Sequence, residues 1–362
     1  MIGIRTDANI IIATGHMMRC ITIAKQIVSR GESVTFFIAD EESERLLGKN
    51  ISDSDHMNTV VLNTAWDDME SELPVLIEQL QVRNVDILLV DSYKVTYDYF
   101  KAIDRVCKTA YIDDVHEGLY PVDMLINYNG YSNLFDYASD YKDMHGRTDR
   151  PTELLLGLMY APLREQFHKT EKAEEQVKTD SFDVLFASGG ADTQDLIMPI
   201  ISAARDGGLC GRQDDGTEIN WHVVVGDYVE NGDEVEGYCR MTDGLFAHRS
   251  VSDMASLMRS CDLGVVAAGT MLTECAAVSL PAVFYQLADN QRYGTEYWSA
   301  PGRMIYAGDV TEDKDEVIHS IFRELRRLIS DRNRLSDIRD SIGKITDGKG
   351  AVRIAERLCD LR

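Results

Sequence analysis

An alternation of two hydrophobic patterns constrains the fold of this chain more than any other feature. Short β-branched or aromatic runs at residues 1–5, 34–39 and 85–90 predict strands. Between them, residues 17–28 and 41–47 place apolar side chains three or four positions apart, which predicts amphipathic helices. Strands and helices that alternate in this way build a mostly parallel sheet with helices on both faces. The sequence therefore predicts an α/β fold.

The alternation is interrupted once and then restarts, which predicts two domains. Residues 166–180 are rich in lysine and glutamate and have almost nothing to bury, as expected of a linker or an exposed helix. We predict domains over residues 1–165 and 181–335 that face each other across a ligand-binding cleft, followed by a helical tail over residues 336–362. Further predicted strands cover residues 182–187, 221–225, 263–267 and 282–285. Helical segments are predicted at residues 194–204, 254–259, 272–278, 316–329 and 333–361. Residues 207–220 are predicted to form a surface loop.

Charge and cysteine usage exclude several classes of protein. The 362 residues include 37 Lys and Arg against 61 Asp and Glu, and the net charge of -24 repels nucleic acid and anionic lipid surfaces. The seven cysteines are scattered and never form a CxxC pair, which favours reduced thiols over disulfides or a zinc site. No leader pattern or long apolar run is present, so we expect a cytoplasmic protein without stable membrane association.

The first candidate for chemistry is the Gly15-His16 pair. It follows the first predicted strand and opens a helix, at the sheet edge where open α/β folds bind their ligands. A helix N-terminus favours an anion or an electron-rich oxygen, and histidine can exchange a proton near neutral pH. The alternative is a histidine that only caps the helix or packs against it.

A glycine turn follows the predicted strand at residues 182–187. Gly189 and Gly190 allow backbone N–H groups to approach phosphate oxygens closely, and Asp192 comes directly after them. The same residues are also compatible with a tight strand-to-helix turn without a ligand.

A second small-residue turn follows the strand at residues 263–267. Gly269 and Thr270 open the next helix and can meet a phosphate, while Glu274 lies one turn later, where its carboxylate can accept ribose hydroxyl groups. Glu274 is alternatively a favourable charge in a first helical turn. Asn290 and Gln291 are either ligand contacts or ordinary loop amides.

Polar residues also follow two strands of the first domain. Asp91 and Tyr93 follow the strand at residues 85–90, so they point to the same sheet edge as His16, and Tyr93 is a possible hydroxyl donor to a substrate. A buried tyrosine with a satisfied hydroxyl is the alternative. For Asp113 and Asp114 we favour the capping of turns over metal binding.

Taken in order, these motifs resemble one family. The segments RTDANIIIATGHMMRCITIAKQI, VDSYKVT, YIDDVHEGLYPVDMLINYN, LLLGLMYAPLREQF, SGGADTQDL and AAGTMLTECAAVSLPAVFYQLADNQ are similar to the hydrolases of pseudaminic acid biosynthesis that act on UDP-2,4-diacetamido-2,4,6-trideoxy-β-L-altropyranose. They also resemble the related spore-coat polysaccharide biosynthesis proteins of glycosyltransferase type. The resemblance runs from about residue 2 to residue 291 and implies the GT-B fold, with two Rossmann-like domains similar to MurG.

The resemblance also implies a reaction and a set of residues. Water attacks the anomeric carbon and UDP leaves, without a metal ion or other cofactor; the alternative is a transferase of the same fold with a hydroxyl acceptor. The implied catalytic residues are His16 as the general base, Tyr93 and Asn290. The implied nucleotide-binding residues are Gly189, Gly190, Asp192, Gly269, Thr270, Glu274 and Gln291, and the implied sugar-binding residues are Asp7, Gly15, Arg19 and Asp91. The sequence leaves the identity of the sugar and the oligomeric state open.

Overall fold

The chain consists of two compact units, each built on its own sheet. The structure, a computed structural model, describes residues 1–9, 12, 15–51, 56–148, 150–169, 181–226 and 228–362. The first unit comprises Met1–Arg164 and Lys349–Arg362, and the second comprises Glu165–Gly348. The predicted linker at residues 166–180 falls largely on residues 170–180, which lie outside the described part of the chain.

The first unit contains a seven-stranded sheet in which all neighbouring strands are parallel, in the order β3-β2-β1-β4-β5-β6-β7. Its strands are β1 (Ile2–Thr6), β2 (Val34–Ile38), β3 (Met57–Val61), β4 (Ile87–Asp91), β5 (Lys108–Ile112), β6 (Met124–Asn127) and β7 (Glu153–Leu156). Its first five helices are α1 (Gly15–Val28), α2 (Glu41–Gly48), α3 (Met69–Val82), α4 (Tyr97–Ile103) and α5 (Tyr137–Asp140), with short 3₁₀ turns at Gly130–Leu134 and Leu158–Tyr160.

Helices cover both faces of this sheet, which explains why its central strands are apolar throughout. On one face Ile23 of α1 belongs to the same core as Ile2 and Ile4 of β1. On the other face Leu76 of α3 and Phe100 of α4 pack in a second core. The strand order reverses between β1 and β4, and ligands of open α/β sheets usually bind at the carboxyl edge beside such a reversal.

The second unit contains a sheet with the parallel order β11-β10-β8-β12-β13-β14, again with a reversal between its two central strands. Its strands are β8 (Ser181–Ala187), β9 (Gly211–Arg212), β10 (Glu218–Val225), β11 (Leu245–Arg249), β12 (Leu263–Ala267), β13 (Ala282–Gln286) and β14 (Ile305–Asp309). Its helices are α6 (Ile197–Asp206), α7 (Gly232–Met241), α8 (Met254–Ser260), α9 (Thr270–Ala277), α10 (Arg292–Trp298), α11 (Lys314–Ser330) and α12 (Arg332–Ile342), with 3₁₀ turns at Glu165–Phe167 and Asp289–Gln291.

Most predicted elements are confirmed, and one prediction is wrong. The predicted surface loop at residues 207–220 contains β9, which pairs antiparallel with the first residues of β10. The stretch at residues 333–361, predicted to be helical, contains two helices, α12 and α13 (Gly350–Leu361), with a break between them. The last helix belongs to the first unit, where Ile354 and Leu358 join the core that contains α1.

The connection into α13 depends on a glycine. A Cβ atom at Gly350 would lie 2.2 Å from the carbonyl oxygen of Ala161, so only glycine permits this close approach of two backbones.

In the described residues, no helix is both long and apolar enough to cross a bilayer.

Candidate functional site

His16 and Asp91 form a hydrogen-bonded pair at the carboxyl edge of the first sheet. His16 lies in the first turn of α1, and Asp91 is the last residue of β4, which neighbours β1. The Nδ1 atom of His16 is 2.6 Å from Oδ1 of the fully buried Asp91. A carboxylate can only accept, and Asp91 Oδ1 is the nearest neighbour of Nδ1, so Nδ1 carries the proton and Arg19 Nη2, 3.0 Å from Nδ1, is a second donor beside it. Nε2 is then the acceptor nitrogen whenever the ring is neutral.

Arg19, one helical turn after His16, connects this pair to a second carboxylate. Its Nε donates to Asp91 Oδ2 at 2.6 Å, and its Nη1 donates to Asp114 Oδ2 at 2.6 Å and to the Tyr128 hydroxyl. Burial by itself would raise the pKa of Asp91, but Arg19 and His16 outweigh burial and hold that pKa well below its usual range. The carboxylate that orients His16 is therefore ionised.

The Asp114 carboxylate accepts hydrogen bonds from two further residues besides Arg19 of α1. The Tyr93 hydroxyl lies 3.0 Å from Asp114 Oδ2, and Asn129 Nδ2 donates to Asp114 Oδ1 at 2.9 Å. The Tyr93 ring stands edge-on to the His16 ring, with centroids 4.6 Å apart. Burial and the neighbouring Asp114 raise the pKa of Tyr93 well above its ordinary value, so Tyr93 stays a neutral phenol. We refer to His16, Arg19, Asp91, Tyr93, Asp114, Tyr128 and Asn129 as the histidine cluster.

The sequence predicted part of this cluster and missed the rest. Asp113 does cap a turn, since its carboxylate accepts from the backbone N–H groups of Val115 and His116, as the capping interpretation expected. Its neighbour Asp114 instead joins the histidine cluster, which corrects that interpretation for one member of the pair. Tyr128 and Asn129 were not predicted, although the available signal was the one used for Tyr93: a polar residue just after a strand.

Asp7 belongs to a different cluster. Its Oδ1 accepts from the backbone N–H of Ala39 at 2.7 Å, and its Oδ2 pairs with the guanidinium of the fully buried Arg5. Arg5 also pairs with the buried Glu72, which accepts a hydrogen bond from Tyr99. Both oxygens of Asp7 are thus bonded within the protein, away from the partners of His16. Gly15, by contrast, is exposed at the start of α1.

The glycine turn after β8 is held by its neighbours. Gly189 has a φ of +94°, and the carbonyl of Gly190 accepts from the backbone N–H of Tyr228. A Cβ atom at Gly226 would lie 2.2 Å from that carbonyl oxygen. The carboxylate of Asp192 accepts from the N–H groups of Leu196 and Ile197, both at 3.0 Å. Asp192 therefore caps α6, which starts later than predicted.

The turn after β12 presents an open helix start. Gly269 directly precedes α9 with φ +145° and ψ -157°, a conformation accessible almost only to glycine, and no side chain caps this helix among the described residues. Gly269 and Thr270 are exposed, and Glu274 lies half-buried in the second turn of α9. This arrangement leaves backbone N–H groups at the positive end of a helix facing solvent.

Gln291 and Asn290 differ in their surroundings. The side-chain amide of Gln291 accepts from the N–H of Leu287 at 2.8 Å and donates to the carbonyl of Ala268 at 2.6 Å. Gln291 thus links the loop after β13 to the loop that leads into Gly269. These contacts agree with the interpretation of Gln291 as a loop amide. Asn290 is exposed at the same edge. Across the described ranges, no group of three histidine, cysteine or acidic side chains is arranged to hold a metal ion.

Comparisons of sequence find distant relatives. No protein-family model matches the chain. It is 22% identical to the spore coat polysaccharide biosynthesis protein SpsG of Bacillus subtilis, across 99% of this chain and 98% of SpsG. It is 26% identical to the UDP-2,4-diacetamido-2,4,6-trideoxy-β-L-altropyranose hydrolase of Campylobacter jejuni over 200 residues, which are 55% of this chain and 63% of the hydrolase. An uncharacterised protein of Methanocaldococcus jannaschii is 21% identical over 80% of this chain, and the match spans only 56% of that relative.

Comparisons of structure identify the fold. MurG of Acinetobacter baumannii superposes with a TM-score of 0.72 at 13% identity, over 99% of both chains. CalG4, the calicheamicin glycosyltransferase, superposes with a TM-score of 0.64 at 12% identity, over 99% of this chain and 98% of its own. At these identities the likeness establishes the fold alone. The predicted GT-B fold with two Rossmann-like domains is confirmed.

Proposed function

We propose that the chain is a nucleotide-sugar hydrolase that releases UDP from a UDP-linked deoxy-amino sugar, in the biosynthesis of a nonulosonic acid or a surface polysaccharide. The names of two relatives support this proposal. The hydrolase from Campylobacter jejuni acts on such a sugar nucleotide, and SpsG, which aligns over its whole length, is named for spore coat polysaccharide biosynthesis. The GT-B fold is compatible with this substrate class.

The single observation that carries the proposal is the His16–Asp91 pair. Because Asp91 accepts the proton on Nδ1, the lone pair on Nε2 is available to take a proton from water as that water attacks the anomeric carbon. The ionised Asp91 then stabilises the imidazolium that forms. A general base in this arrangement contributes roughly 10²- to 10⁴-fold to the rate.

The second unit supports the other half of the reaction. The open N-terminus of α9, with Gly269 and Thr270, would bind the diphosphate and stabilise the charge that develops on it as it leaves. Gly189 and Gly190 would form the other side of the phosphate site, and Glu274 would accept the ribose hydroxyl groups. The contacts of Asp192 and Gln291 favour a role in holding these turns rather than in touching the nucleotide.

The alternative is a glycosyltransferase that uses the same residues. A hydroxyl group of a soluble or glycan acceptor would replace water, and His16 would deprotonate it in the same way. The observation that favours this alternative is the recurrence of glycosyltransferases among the structures with this fold.

One experiment separates the two reactions. UDP-2,4-diacetamido-2,4,6-trideoxy-β-L-altropyranose and UDP-N-acetylglucosamine are each incubated with the protein without an acceptor, and UDP release is followed. We expect release by the wild type, a loss of roughly 10²-fold or more in His16→Ala, and no loss in His319→Ala, which replaces an exposed histidine of α11. Release only after an acceptor is added would favour the transferase. Release that is equal in wild type and His16→Ala would refute the assignment of the base.

A further inference from the structure

The hydrogen bonds around Asp114 fix the direction of the Tyr93 hydroxyl. Three donors surround this carboxylate: Arg19 Nη1 at 2.6 Å, Asn129 Nδ2 at 2.9 Å and the Tyr93 hydroxyl at 3.0 Å. An aspartate held in an ion pair has no proton to donate, so Tyr93 must be the donor in their contact. Arg19 holds one oxygen of Asp114 and Asn129 holds the other, which prevents the carboxylate from turning away.

This direction determines what Tyr93 can offer to a ligand. A phenol has one proton and two lone pairs, and the proton of Tyr93 is already given to Asp114. Tyr93 is 46% exposed at the carboxyl edge of the sheet, with its ring against that of His16. Only lone pairs therefore face a ligand that binds beside His16. The polarity is opposite to the sequence-based prediction of a hydroxyl donor.

We propose that Asp114 is a positioning residue that makes Tyr93 an obligatory hydrogen-bond acceptor, and that Tyr93 thereby selects sugars with a donor at the facing position. This inference rests on the proposed function and deepens it by naming the substrate feature that is recognised. The donor is an acetamido N–H or a ring hydroxyl. A sugar that lacks a proton at that position leaves the Tyr93 lone pairs unpaired on binding, which disfavours it.

The test removes one donor at a time from the ligand. UDP-2,4-diacetamido-2,4,6-trideoxy-β-L-altropyranose has three ring donors, so three analogues suffice: one N-methylated at each acetamido group and one lacking the ring hydroxyl. Binding is measured by calorimetry in the His16→Ala background, where the ligand is not consumed. We expect one analogue to bind about tenfold more weakly than the parent, and Tyr93→Phe to bind that analogue and the parent equally.

Asp114→Ala separates positioning from a merely structural role. Alanine cannot accept the phenol proton, which is then free to turn toward the ligand, so this variant should lose the discrimination between parent and analogue while still binding UDP. Asparagine would not serve, because Tyr93 and Arg19 Nη1 bond the same oxygen of Asp114, and Arg19 would keep an amide oxygen at that place. Asp140→Ala, at a half-exposed position of the same unit, should keep the discrimination. If Asp114→Ala and Tyr93→Phe discriminate as the parent protein does, the inference is overturned.

The outcomes also distinguish this inference from the proposed function. Discrimination that depends on Tyr93, in a protein whose wild type releases no UDP, would support the inference and refute the hydrolase. UDP release by the wild type with equal binding of all analogues would refute the inference alone. Failure of the protein to bind the parent sugar nucleotide would overturn both.

Discussion

Replacement of Asp91 by asparagine tests the geometry of the histidine cluster most directly. Both carboxylate oxygens accept hydrogen bonds: Oδ1 from His16 and Arg19, and Oδ2 from Arg19 and the Cys20 thiol. Asparagine has one oxygen and one NH₂ group. Whichever way the amide is turned, its NH₂ group faces an N–H group of Arg19, and two donors then oppose each other in a buried site.

The size of the effect follows from these contacts. A hydrogen bond to a charged group contributes about 1.5–3 kcal/mol, and Arg19 loses one such bond at Asp91 but keeps Asp114. We therefore expect Asp91→Asn to lower the free energy of unfolding by about 2–3 kcal/mol. If the NH₂ group faces Nδ1 of His16, the ring takes the opposite tautomer and Nε2 carries the proton. UDP release should then fall by about 10²- to 10⁴-fold.

Two measurements check this prediction. Urea denaturation gives the change in free energy of unfolding, and UDP release from the parent sugar nucleotide gives the change in rate. Asp98→Asn, at an exposed position of α4, is the matched control and should change neither. A stable Asp91→Asn variant with undiminished UDP release would refute the role of Asp91 in orienting His16. A loss of stability with normal release would limit Asp91 to a structural role.

Three further predictions concern stability. Glu72→Gln breaks a fully buried ion pair with the arginine of β1 and should lower the free energy of unfolding, measured by urea denaturation, by about 3 kcal/mol. Glu70→Gln, at an exposed position of the same helix, should lower it by less than about 1 kcal/mol. Equal losses in the two variants would contradict the importance of the buried pair. Burial and the neighbouring histidine lower the pKa of His248 below its ordinary value of about 6.5. The neutral form of His248 therefore contributes stability to the folded protein at pH values above about 6.5, and this stability is lost as the pH falls through the lowered pKa. His248→Gln should therefore flatten the fall in free energy of unfolding below pH 6.5, and an unchanged slope would contradict this. Gly269→Ala should lower the free energy of unfolding by about 1–3 kcal/mol, because the φ of +145° at this position strains any residue with a Cβ atom. Gly190→Ala, where an added Cβ meets nothing within 4 Å, should lower it by less than about 1 kcal/mol. Equal thermal stability of the two variants would contradict the strain at Gly269.

The parts of the fold that periodicity encodes were predictable from sequence. β2 and β4 lie within two residues of their predicted limits because strands covered on both faces need continuous apolar runs. The break between α12 and α13 does not show in the helical period, which continues on both sides of it; its local signal is the pair of glycines Gly343, at the end of α12, and Gly348, whose φ is +77°. What no local pattern encodes is the packing of α13 in the first unit, because that is a long-range contact. β9 is only two residues long, too short to show any period.

The histidine cluster was predictable only in part, for a related reason. His16, Asp91 and Tyr93 follow strands that a sequence can identify one by one. Their proximity depends on the order of strands in the sheet, where β4 lies between β1 and β5. Asp114 follows β5, which neighbours β4, and therefore joins the cluster. The sequence alone did not separate it from Asp113, because two consecutive aspartates after a strand also predict a capped turn, and Asp113 does cap one.

Arg19 determines the hydrogen-bond polarity of both His16 and Tyr93. It pairs with Asp91 and with Asp114, so one guanidinium offsets two carboxylates in a poorly solvated cluster. Without that charge, burial would favour the protonated form of at least one carboxylate. A protonated Asp91 could donate to Nδ1 and place the ring proton on Nε2, and a protonated Asp114 could donate to Tyr93 and turn the phenol proton outward. The two groups that face the ligand as acceptors therefore owe this property to the charge of Arg19, which keeps both carboxylates ionised.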